Sequence, residues 1–324
     1  MTLPVANDFA AFRALSAALG QDPMRVQGPG GNTSIKSGNV MWIKASGTEL
    51  ADAEQKDIFV PVDRAAAVAE ANGITGDGSC KTTVLDPEID LRPSIETTFH
   101  AALDWPVVAH THSIAALTHA VSGTGRAAVD DKLSGLPAVR VPYAKPGLPL
   151  TREILARAGP ETQVIVLENH GLIVCGATVA ETAGMVDEVE RRLEMPARQR
   201  NTTLPDVAAP AGFDWAPESW IARDERAAAL AIAGSYYPDH VVFLGPALPR
   251  GDHAGAPPAI LIDGVGVALR SAATPSQRAM LRCLSDLLKR LPDAWTPLPI
   301  GEEAEAELLD WDAEKYRQAL AAPS

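Results

Sequence analysis

The spacing of hydrophobic residues along the first part of the chain changes between a helical and an extended period. Residues 8–20 carry apolar side chains at every third or fourth position, which predicts an amphipathic helix. Three short strands are then predicted from the runs TSIKS, VMWIKAS and DIFVPVD, the first two separated by the hairpin dipeptide Gly38-Asn39. Residues 63–72 are predicted to be helical, and residues 73–92, rich in Gly, Asp and Pro, to form a loop.

Strands and helices continue to alternate through the centre of the chain. The run SIETTFHAALDW predicts a helix with Ser94 as its N-cap, and VVAHTHS predicts a strand and turn. Further along, QVIVLENHGLIVCG predicts two strands that meet at Asn169-His170-Gly171, and residues 178–199 predict a long charged amphipathic helix. The other segments predicted in this region are the helix IAALTHAVSG, the strand AVRVPYA and the helix LTREILARAG.

A change in composition near residue 200 predicts a boundary. Residues 201–219 contain three prolines and few periodic apolar residues, which indicates a linker. Residues 220–324 carry the strand signals HVVFLG and AILIDGVGVAL and the helix signal PSQRAMLRCLSDLLKRL, and they predict a small C-terminal domain. The irregular mixture of strands and helices predicts the α/β (α+β) class, with a first domain over residues 1–200.

Composition and charge narrow the classes of function. A net charge of −13 argues against a nucleic-acid partner, because phosphate backbones require clustered Lys and Arg. Three widely spaced cysteines without a CxxC pair argue against a disulfide framework and indicate a reducing, cytoplasmic location. No stretch of about 20 uncharged apolar residues predicts a membrane span. The first residues are interpreted as the start of the amphipathic helix rather than as a signal peptide.

The run AHTHS contains the first candidate for chemistry. On a strand His110 and His112 point to the same face, so the pair can present two ligands to one cation. Catalytic zinc commonly takes three protein ligands and keeps one position open. His170, at a strand-turn-strand junction marked by Gly171, is the best third candidate. Glu96, just upstream of VVAHTHS, could bind the metal or act as a base beside it.

Each of these features also has a structural interpretation. An H-x-H pair is more often surface-exposed or packed than metal-binding, and a lone His170 would more often be a turn residue. His100, one helical turn after Glu96, could lie near the metal but fits a structural role better. His119 is interpreted as a packing or solvated residue. His240 and His253 show no partner pattern.

Two loops of small residues could bind an anion. Successive glycines in GPGGNTSIK expose backbone N–H groups, and KASGT (residues 44–48) combines small residues with a hydroxyl. The first run lacks both the G-x-G-x-x-G pattern before a helix and the G-K-[ST] ending of a P-loop, so nucleotide binding is disfavoured. A plain turn is the alternative interpretation of each loop.

Five runs together resemble the class II aldolase/adducin family. They are GGNTSIK, WIKASGT, PSIETTFH, AHTHS and ENHGLIVCG, in this order, and the resemblance covers about residues 8–200. It implies a three-layer αβα fold with a central, mostly antiparallel sheet, and a homotetramer with active sites at subunit interfaces. The C-terminal part is similar to the tail of the longer sugar-aldolase members, which implies a smaller C-terminal α/β extension.

The resemblance also implies roles for individual residues. His110, His112 and His170 match the zinc ligands, with Mn²⁺ or Co²⁺ as other divalent candidates, and Glu96 matches a carboxylate that binds metal at rest and transfers a proton. Tyr143 matches a tyrosine that reaches a neighbouring subunit's site. The positions assigned to substrate binding are Gly31, Asn32, Thr33, Lys36, Ser46, Gly47 and Ser94.

One departure from the family pattern concerns the phosphate. Several phosphate-using members have two serines before the glutamate, whereas this chain has Ser94-Ile95. Because Ile95 cannot donate a hydrogen bond, the substrate could be an unphosphorylated keto acid or another ketone. Its anionic end would then meet Lys36 or Lys44.

The function implied is that of a zinc-dependent lyase. It would catalyse reversible retro-aldol cleavage of a ketose, a ketose phosphate or a related hydroxy-ketone or keto acid through a metal-stabilised enediolate. A pentulose-phosphate 4-epimerase and a metal-dependent decarboxylase of the same family are alternatives. A non-enzymatic, adducin-like interaction module is a further alternative, although adducins carry a basic tail that this acidic chain does not show. The expected partner is a small carbohydrate or keto acid, not a nucleic acid or a membrane.

Overall fold

The computed structural model of the protein describes residues 3, 5–251 and 257–321. His253 and the last three residues of the predicted C-terminal domain therefore lie outside the described residues. Within these ranges no helix combines the length and the apolar character that a membrane crossing requires.

A seven-stranded sheet forms the centre of the first part of the chain. Its strands are β1 (Asn32–Ser37), β2 (Val40–Lys44), β3 (Phe59–Asp63), β4 (Val107–Thr111), β5 (Ala138–Val141), β6 (Val164–Leu167) and β7 (Gly171–Gly176). They lie in the order β3-β2-β1-β4-β7-β6-β5, and every neighbouring pair is antiparallel except β5 and β6. The mixed α/β class and the mostly antiparallel sheet predicted from the sequence are confirmed.

Helices cover both faces of this sheet. They are α1 (Phe9–Gln21), α2 (Arg64–Ala71), α3 (Thr97–Ala102), α4 (Ile114–Ala120), α5 (Gly123–Lys132), α6 (Leu148–Leu155) and α7 (Val179–Leu193), with short 3₁₀ turns at Leu50–Asp52 and Lys81–Thr83. Side chains alternate along each strand, so Val107 and Ala109 pack in the core that contains α1 and α7, and Val108 packs in the core that contains α3 and α6. His110 shares the face of Val108.

A second sheet of three antiparallel strands lies in the C-terminal part. The strands are β8 (Phe213–Trp215), β9 (Ala259–Ile262) and β10 (Gly266–Arg270), in the order β8-β10-β9. The helices of this part are α8 (Glu225–Ala233), α9 (Pro238–Leu244), α10 (Pro275–Arg290), α11 (Glu302–Leu309) and α12 (Asp312–Ala321), with a 3₁₀ helix at Pro217–Arg223. The capping box that Thr274 and Gln277 form fixes the start of α10.

Three local predictions need correction. The run HVVFLG lies in helix α9, not in a strand, because Pro238 starts the helix and all seven residues are buried, which removes the polar positions that reveal a helical period. Ser94 is not the N-cap of α3, since the helix begins at Thr97 and the Ser94 hydroxyl accepts from the Glu96 N–H instead. Of residues 201–219, predicted as a linker, 213–215 form β8 and 217–219 begin a 3₁₀ helix.

Helix α4 is shared by two hydrophobic cores. One of its faces packs into the core of the central sheet and the other packs into the core of the C-terminal part. The first face carries Ala115, Ala116 and Ala120, and the second carries Ile114 and Leu117. The division of the chain into two domains with a linker stays a proposal.

Candidate metal centre

Three histidines meet at one end of the central sheet. His110 lies on β4, His112 follows the end of that strand, and His170 lies in the turn between β6 and β7. Because β4 and β7 are antiparallel neighbours, with His110 opposite Ile173, the turn that carries His170 lies beside the end of β4. One ligand atom of each histidine lies within 4.8 Å of the others, and all three residues are buried.

The turn that carries His170 depends on its two flanking residues. Asn169 adopts a left-handed conformation, with a φ of 53°, which asparagine tolerates better than most residues. A Cβ added at Gly171 would lie 2.3 Å from the carbonyl oxygen of Thr111, so only glycine lets β7 begin this close to β4. These two residues bring His170 to the other two imidazoles.

Glu96 lies between two of the histidines. Its Oε2 is 3.5 Å from Nε2 of His110, and its Oε1 is 3.5 Å from Nε2 of His170. The Asn32 amide donates a hydrogen bond of 2.8 Å to Oε2. Burial alone would raise the pKa of Glu96, but His110, His170 and the Asn32 hydrogen bond together hold this pKa below its usual value.

Two of the imidazoles, those of His110 and His170, are in the state that binds metal ions. Burial lowers the pKa of His110, and it lowers the pKa of His170 to about 3, so both rings are neutral near pH 7. His110 donates from Nδ1 to the carbonyl of Leu172 at 3.0 Å, which leaves its Nε2 as a lone-pair donor.

The buried polar atoms at the centre test whether a cation fits. Nε2 of His110, Nδ1 of His170 and Oε1 of Glu96 find no hydrogen-bond partner among the described residues. Buried polar atoms are normally paired. Nε2 of His110 and Oε1 of Glu96 face the centre unpaired, and Nε2 of His170 lies 3.5 Å from that oxygen, so lone pairs converge in a place that suits a cation. A set of three imidazoles with one carboxylate fits a divalent ion such as zinc.

Asp239 is a site residue that the sequence interpretation missed. Its Oδ2 lies 3.2 Å from Nδ1 of His112, and its side chain is buried at the start of α9. The sequence signal was the polar run from Tyr236 to His240, for which loop packing is the better explanation from the sequence alone. Nothing local in the sequence connects this run with His112.

A small cavity of about 30 Å³ adjoins the histidines. Its lining includes predicted substrate-binding residues from both glycine-containing loops and from the segment before α3, together with His112, His170 and Glu96. These lining residues are Gly31, Asn32, Ser46, Gly47 and Ser94. Lys44 also lines the cavity, and its ammonium donates to the carbonyls of Pro29 at 2.8 Å and Thr48 at 2.6 Å, so it joins the two loops.

Two residues assigned to substrate binding lie elsewhere. Thr33 points to the opposite face of β1 from Asn32, where its hydroxyl is 2.7 Å from that of Ser16 on α1. Lys36 lies on β1 about 13 Å beyond Asn32, at the usual rise per residue of a strand. Its ammonium donates to the carbonyls of Leu103 and Trp105, and burial lowers its pKa to about 7. Neither residue is carried into the proposed substrate site.

Tyr143 does not line the small cavity either. Its hydroxyl is buried without a hydrogen-bond partner among the described residues. Burial, with the nearby Glu307 and Glu305, raises the pKa of this phenol well above its usual value. The arrangement within one subunit therefore does not bring Tyr143 to the histidines.

The other described histidines have structural contacts. His100 is hydrogen-bonded through Nδ1 to Ser34 at 2.8 Å and through Nε2 to Oδ1 of Asn32, so it supports the residue that holds Glu96. His119 packs edge-on against Trp295, and the ring of His240 lies beside that of Tyr237. The structural interpretation of His100 agrees with these contacts.

Comparison with known proteins gives one family and one partial relative. The sequence profile of the family described as Class II Aldolase and Adducin N-terminal domain matches residues 13–196. The uncharacterized oxidoreductase YuxG of Bacillus subtilis (strain 168) is 28% identical over 198 residues, which are 54% of this chain. The matched region is 28% of the length of YuxG, so this chain corresponds to less than a third of that relative.

Solved structures share the same fold. The N-terminal class II aldolase domain of a conserved protein from Thermoplasma acidophilum superposes with a TM-score of 0.52 and is 26% identical. The superposition covers 60% of this chain and 95% of that domain. The profile match over residues 13–196 includes the central sheet and the three histidines, and the residues after 196 lie outside it.

Proposed function

Because the chain belongs to the class II aldolase and adducin family, we propose that it is a metal-dependent lyase that cleaves a carbon–carbon bond by retro-aldol chemistry. The proposed substrate is a ketose, a ketose phosphate or a related hydroxy-ketone or keto acid. The observation that carries the proposal is the convergence of three buried histidines, two of which lie 3.5 Å from the Glu96 carboxylate. A structural role alone would not require unpaired acceptors at this position.

The proposed metal is Zn²⁺, with Mn²⁺ or Co²⁺ as alternatives, and its proposed ligands are His110, His112, His170 and, before substrate binds, Glu96. When bound, the ion supplies a positive charge that stabilises the negative charge developing on the substrate's carbonyl oxygen. The neutral state of His110 and His170 supports this role, because neutral ligands leave the charge of the ion undiminished.

Glu96 is proposed as the group that moves the proton. In the cleavage direction the Glu96 carboxylate would take the proton of the hydroxyl group that becomes the new carbonyl as the carbon–carbon bond breaks. It would then give this proton to the carbon that keeps the bonding electron pair, and in the synthetic direction it would remove that proton. Its Oε2 accepts from Asn32, so one oxygen is held while the other faces His170. General acid–base catalysis of this kind contributes roughly 10²–10⁴-fold to the rate.

The proposed substrate site extends from the small cavity into a larger one. The larger cavity, of about 530 Å³, shares Ser46, Ile95 and Pro146 with the smaller. A volume of 300–1,000 Å³ is usual for small-molecule sites, whereas about 30 Å³ holds little more than a water molecule. The reacting end of the substrate would therefore lie at Glu96 and its other end in the larger cavity.

The larger cavity offers cations that could hold an anionic end of the substrate, although its lining is balanced in charge. It is lined by Lys81, Arg92 and Lys145 and by the carboxylates Asp77, Asp310 and Asp312. Arg92 lies 3.9 Å from the ring centre of Tyr316, and Lys145 lies 5.0 Å from that of Trp311. Ile95 on the shared wall offers no hydrogen bond, so these cations are the proposed anchor for a carboxylate or phosphate.

The role of Tyr143, the oligomeric state and the cellular location also belong to this proposal. Tyr143 is proposed to act at the site of a neighbouring subunit in a homotetramer, since its hydroxyl has no hydrogen-bond partner among the described residues. The three cysteines are all unpaired, which supports a reducing, cytoplasmic location.

The test is a measurement of metal content combined with a substrate screen. Purified protein would be analysed for bound metal and offered ketose phosphates, unphosphorylated ketoses and keto acids, before and after treatment with a chelator. Cleavage of the substrate into two smaller products identifies an aldolase, formation of one isomer of the substrate identifies a 4-epimerase, and release of carbon dioxide identifies a decarboxylase. A metal-free protein without any of these activities would contradict the proposal and favour the adducin-like interaction module.

A further inference from the structure

We infer that Asp239 is a positioning residue of the metal centre, supplied by a part of the chain outside the matched family region. This inference rests on the proposed metal site at His110, His112 and His170. The family profile ends at residue 196, whereas Asp239 lies at the start of α9. The C-terminal part would thus complete the centre and not merely cover it.

The contact between Asp239 and His112 determines which nitrogen of the ring can bind metal. Oδ2 of Asp239 lies 3.2 Å from Nδ1 of His112, and both side chains are more than nine-tenths buried. A carboxylate this close to Nδ1 favours the form of the ring that carries its proton on Nδ1, which leaves Nε2 as the lone-pair donor. His110 uses its Nδ1 on a backbone carbonyl and faces Glu96 with its Nε2, whereas Nδ1 of His112 faces a carboxylate from the C-terminal part.

The glycine-rich loop closes over this pair. A Cβ added at Gly30 would lie 2.7 Å from Nδ1 of His112 and 2.8 Å from Oδ2 of Asp239, and neither distance is possible for a real side chain. Gly30 therefore lets the loop backbone approach this pair directly. Both side chains are buried, and the attraction between a carboxylate and a polar N–H is stronger in such surroundings than in water.

Further contacts fix Asp239 relative to His170. The Asn169 amide donates to the carbonyl of Tyr236 at 3.1 Å and to that of Leu298 at 2.9 Å. Asn169 also accepts from Arg126 at 2.7 Å, so its orientation is held from the other side. The residue before one histidine of the centre thus anchors the segment that carries Asp239.

The experiment measures the zinc affinity of the full chain by competition with a fluorescent chelator. Replacing Asp239 with Asn (D239N) keeps the shape and removes the charge, and we expect zinc binding to weaken 10–100-fold, as found for other carboxylates that support metal-bound histidines. The matched control is Glu305→Gln. Glu305 is also a buried carboxylate of the C-terminal part, but it accepts from Ser235 and does not contact the histidines.

A second pair of variants avoids any change at Asp239. Gly30→Ala introduces the Cβ that the pair has no room for, and it should weaken zinc binding in the same direction. Gly123→Ala is its control, because a Cβ at Gly123 would meet no atom within 4 Å. X-ray absorption of the zinc-loaded D239N protein should show the same number of ligands as the wild type, since Asp239 acts through His112.

The outcomes separate this inference from the proposed function. A wild-type chain that binds no divalent ion contradicts the proposed function itself. Zinc binding by the wild type with an unchanged affinity in D239N and Gly30→Ala contradicts only the inference about Asp239. Equal weakening in D239N and Glu305→Gln, or loss of a ligand in the X-ray absorption spectrum of D239N, would also overturn the positioning role.

Discussion

Asn32 holds Glu96 through a hydrogen bond of 2.8 Å from its amide nitrogen to the carboxylate. The side-chain amide of Asn32 cannot rotate freely, because its oxygen is hydrogen-bonded to His100. Burial lowers the pKa of His100, which keeps this ring neutral. A chain of three side chains therefore aims the carboxylate at His110 and His170 from a position outside the histidine cluster.

Removal of this support tests whether orientation matters for turnover. In Asn32→Ala the carboxylate loses its donor, and we expect kcat to fall 10–100-fold while zinc content stays close to that of the wild type. Steady-state kinetics and metal analysis of the same preparation measure both quantities. Thr33→Ala is a suitable control, since Thr33 contacts Ser16 on the other face of the sheet. An Asn32→Ala enzyme with wild-type kcat would show that Glu96 needs no such support.

Loss of the carboxylate charge should affect chemistry more than metal binding. Glu96→Gln keeps the size of the side chain but cannot move a proton, and we expect kcat to fall roughly 10²–10⁴-fold. Three histidines remain to bind zinc, so the metal content should be at least partly retained. The kinetic comparison is made on zinc-reconstituted protein. Retention of full turnover would assign the proton transfer to another group.

Substitution of the histidines should remove the metal itself. His110→Ala, His112→Ala and His170→Ala each delete a proposed ligand, and we expect purified protein to lose most of its bound zinc. His119→Ala, in which a buried histidine near Trp295 is lost, should keep it.

The thermal stability of the same variants gives an independent measurement. A ligand that binds only the folded chain stabilises it by about 2.7 kcal/mol at a free concentration 100 times its Kd. Zinc should therefore raise the melting temperature of the wild type and of His119→Ala, but not of the other three. A shift of equal size in all four proteins would indicate zinc binding elsewhere on the chain.

Lys36 should make the stability of the fold depend on pH. Its pKa is lowered to about 7 in the folded chain, whereas an unfolded lysine has a pKa of about 10.4. Between these values the unfolded chain binds more protons, so the free energy of unfolding rises with pH. The contribution is fully present above the unfolded pKa and is lost as the pH falls toward 7.

The variant Lys36→Met lacks this titration. We expect the difference in unfolding free energy between wild type and Lys36→Met to move in favour of the wild type as the pH is raised from 7 to 10. Denaturant titrations at several pH values measure this difference. The control is Lys56→Met, a change at an exposed lysine, for which the wild type should not gain stability relative to the variant as the pH rises. A difference that is constant with pH would mean that Lys36 keeps its proton throughout.

Local sequence patterns predicted strands of the central sheet and singled out the three histidines, while the mostly antiparallel sheet itself was implied by the family resemblance. The H-x-H spacing and the glycine after His170 are short-range signals, and the antiparallel pairing of β4 with β7 joins them. The opposite orientation of Thr33 was also available from strand alternation, because Asn32 and Thr33 are adjacent. The distance of Lys36 from the histidines required the length and direction of β1.

Long-range contacts account for what the sequence did not predict. Asp239 meets His112 only because the C-terminal part folds back on the end of the sheet, and no spacing rule connects the two positions. Helix α9 was predicted as a strand because a helix buried on every side has no polar face. Both errors concern the region where the two cores meet.

The position of α4 between two cores has a consequence for cooperativity. The helix begins two residues after His112, and Ile114 and Leu117 insert into one core while Ala116 inserts into the other. Separation of the C-terminal layer would expose the first two side chains to water and free the segment that directly follows an imidazole. Binding of an ion at the proposed centre and packing of the C-terminal part on α4 would therefore be thermodynamically linked. Each would favour the other.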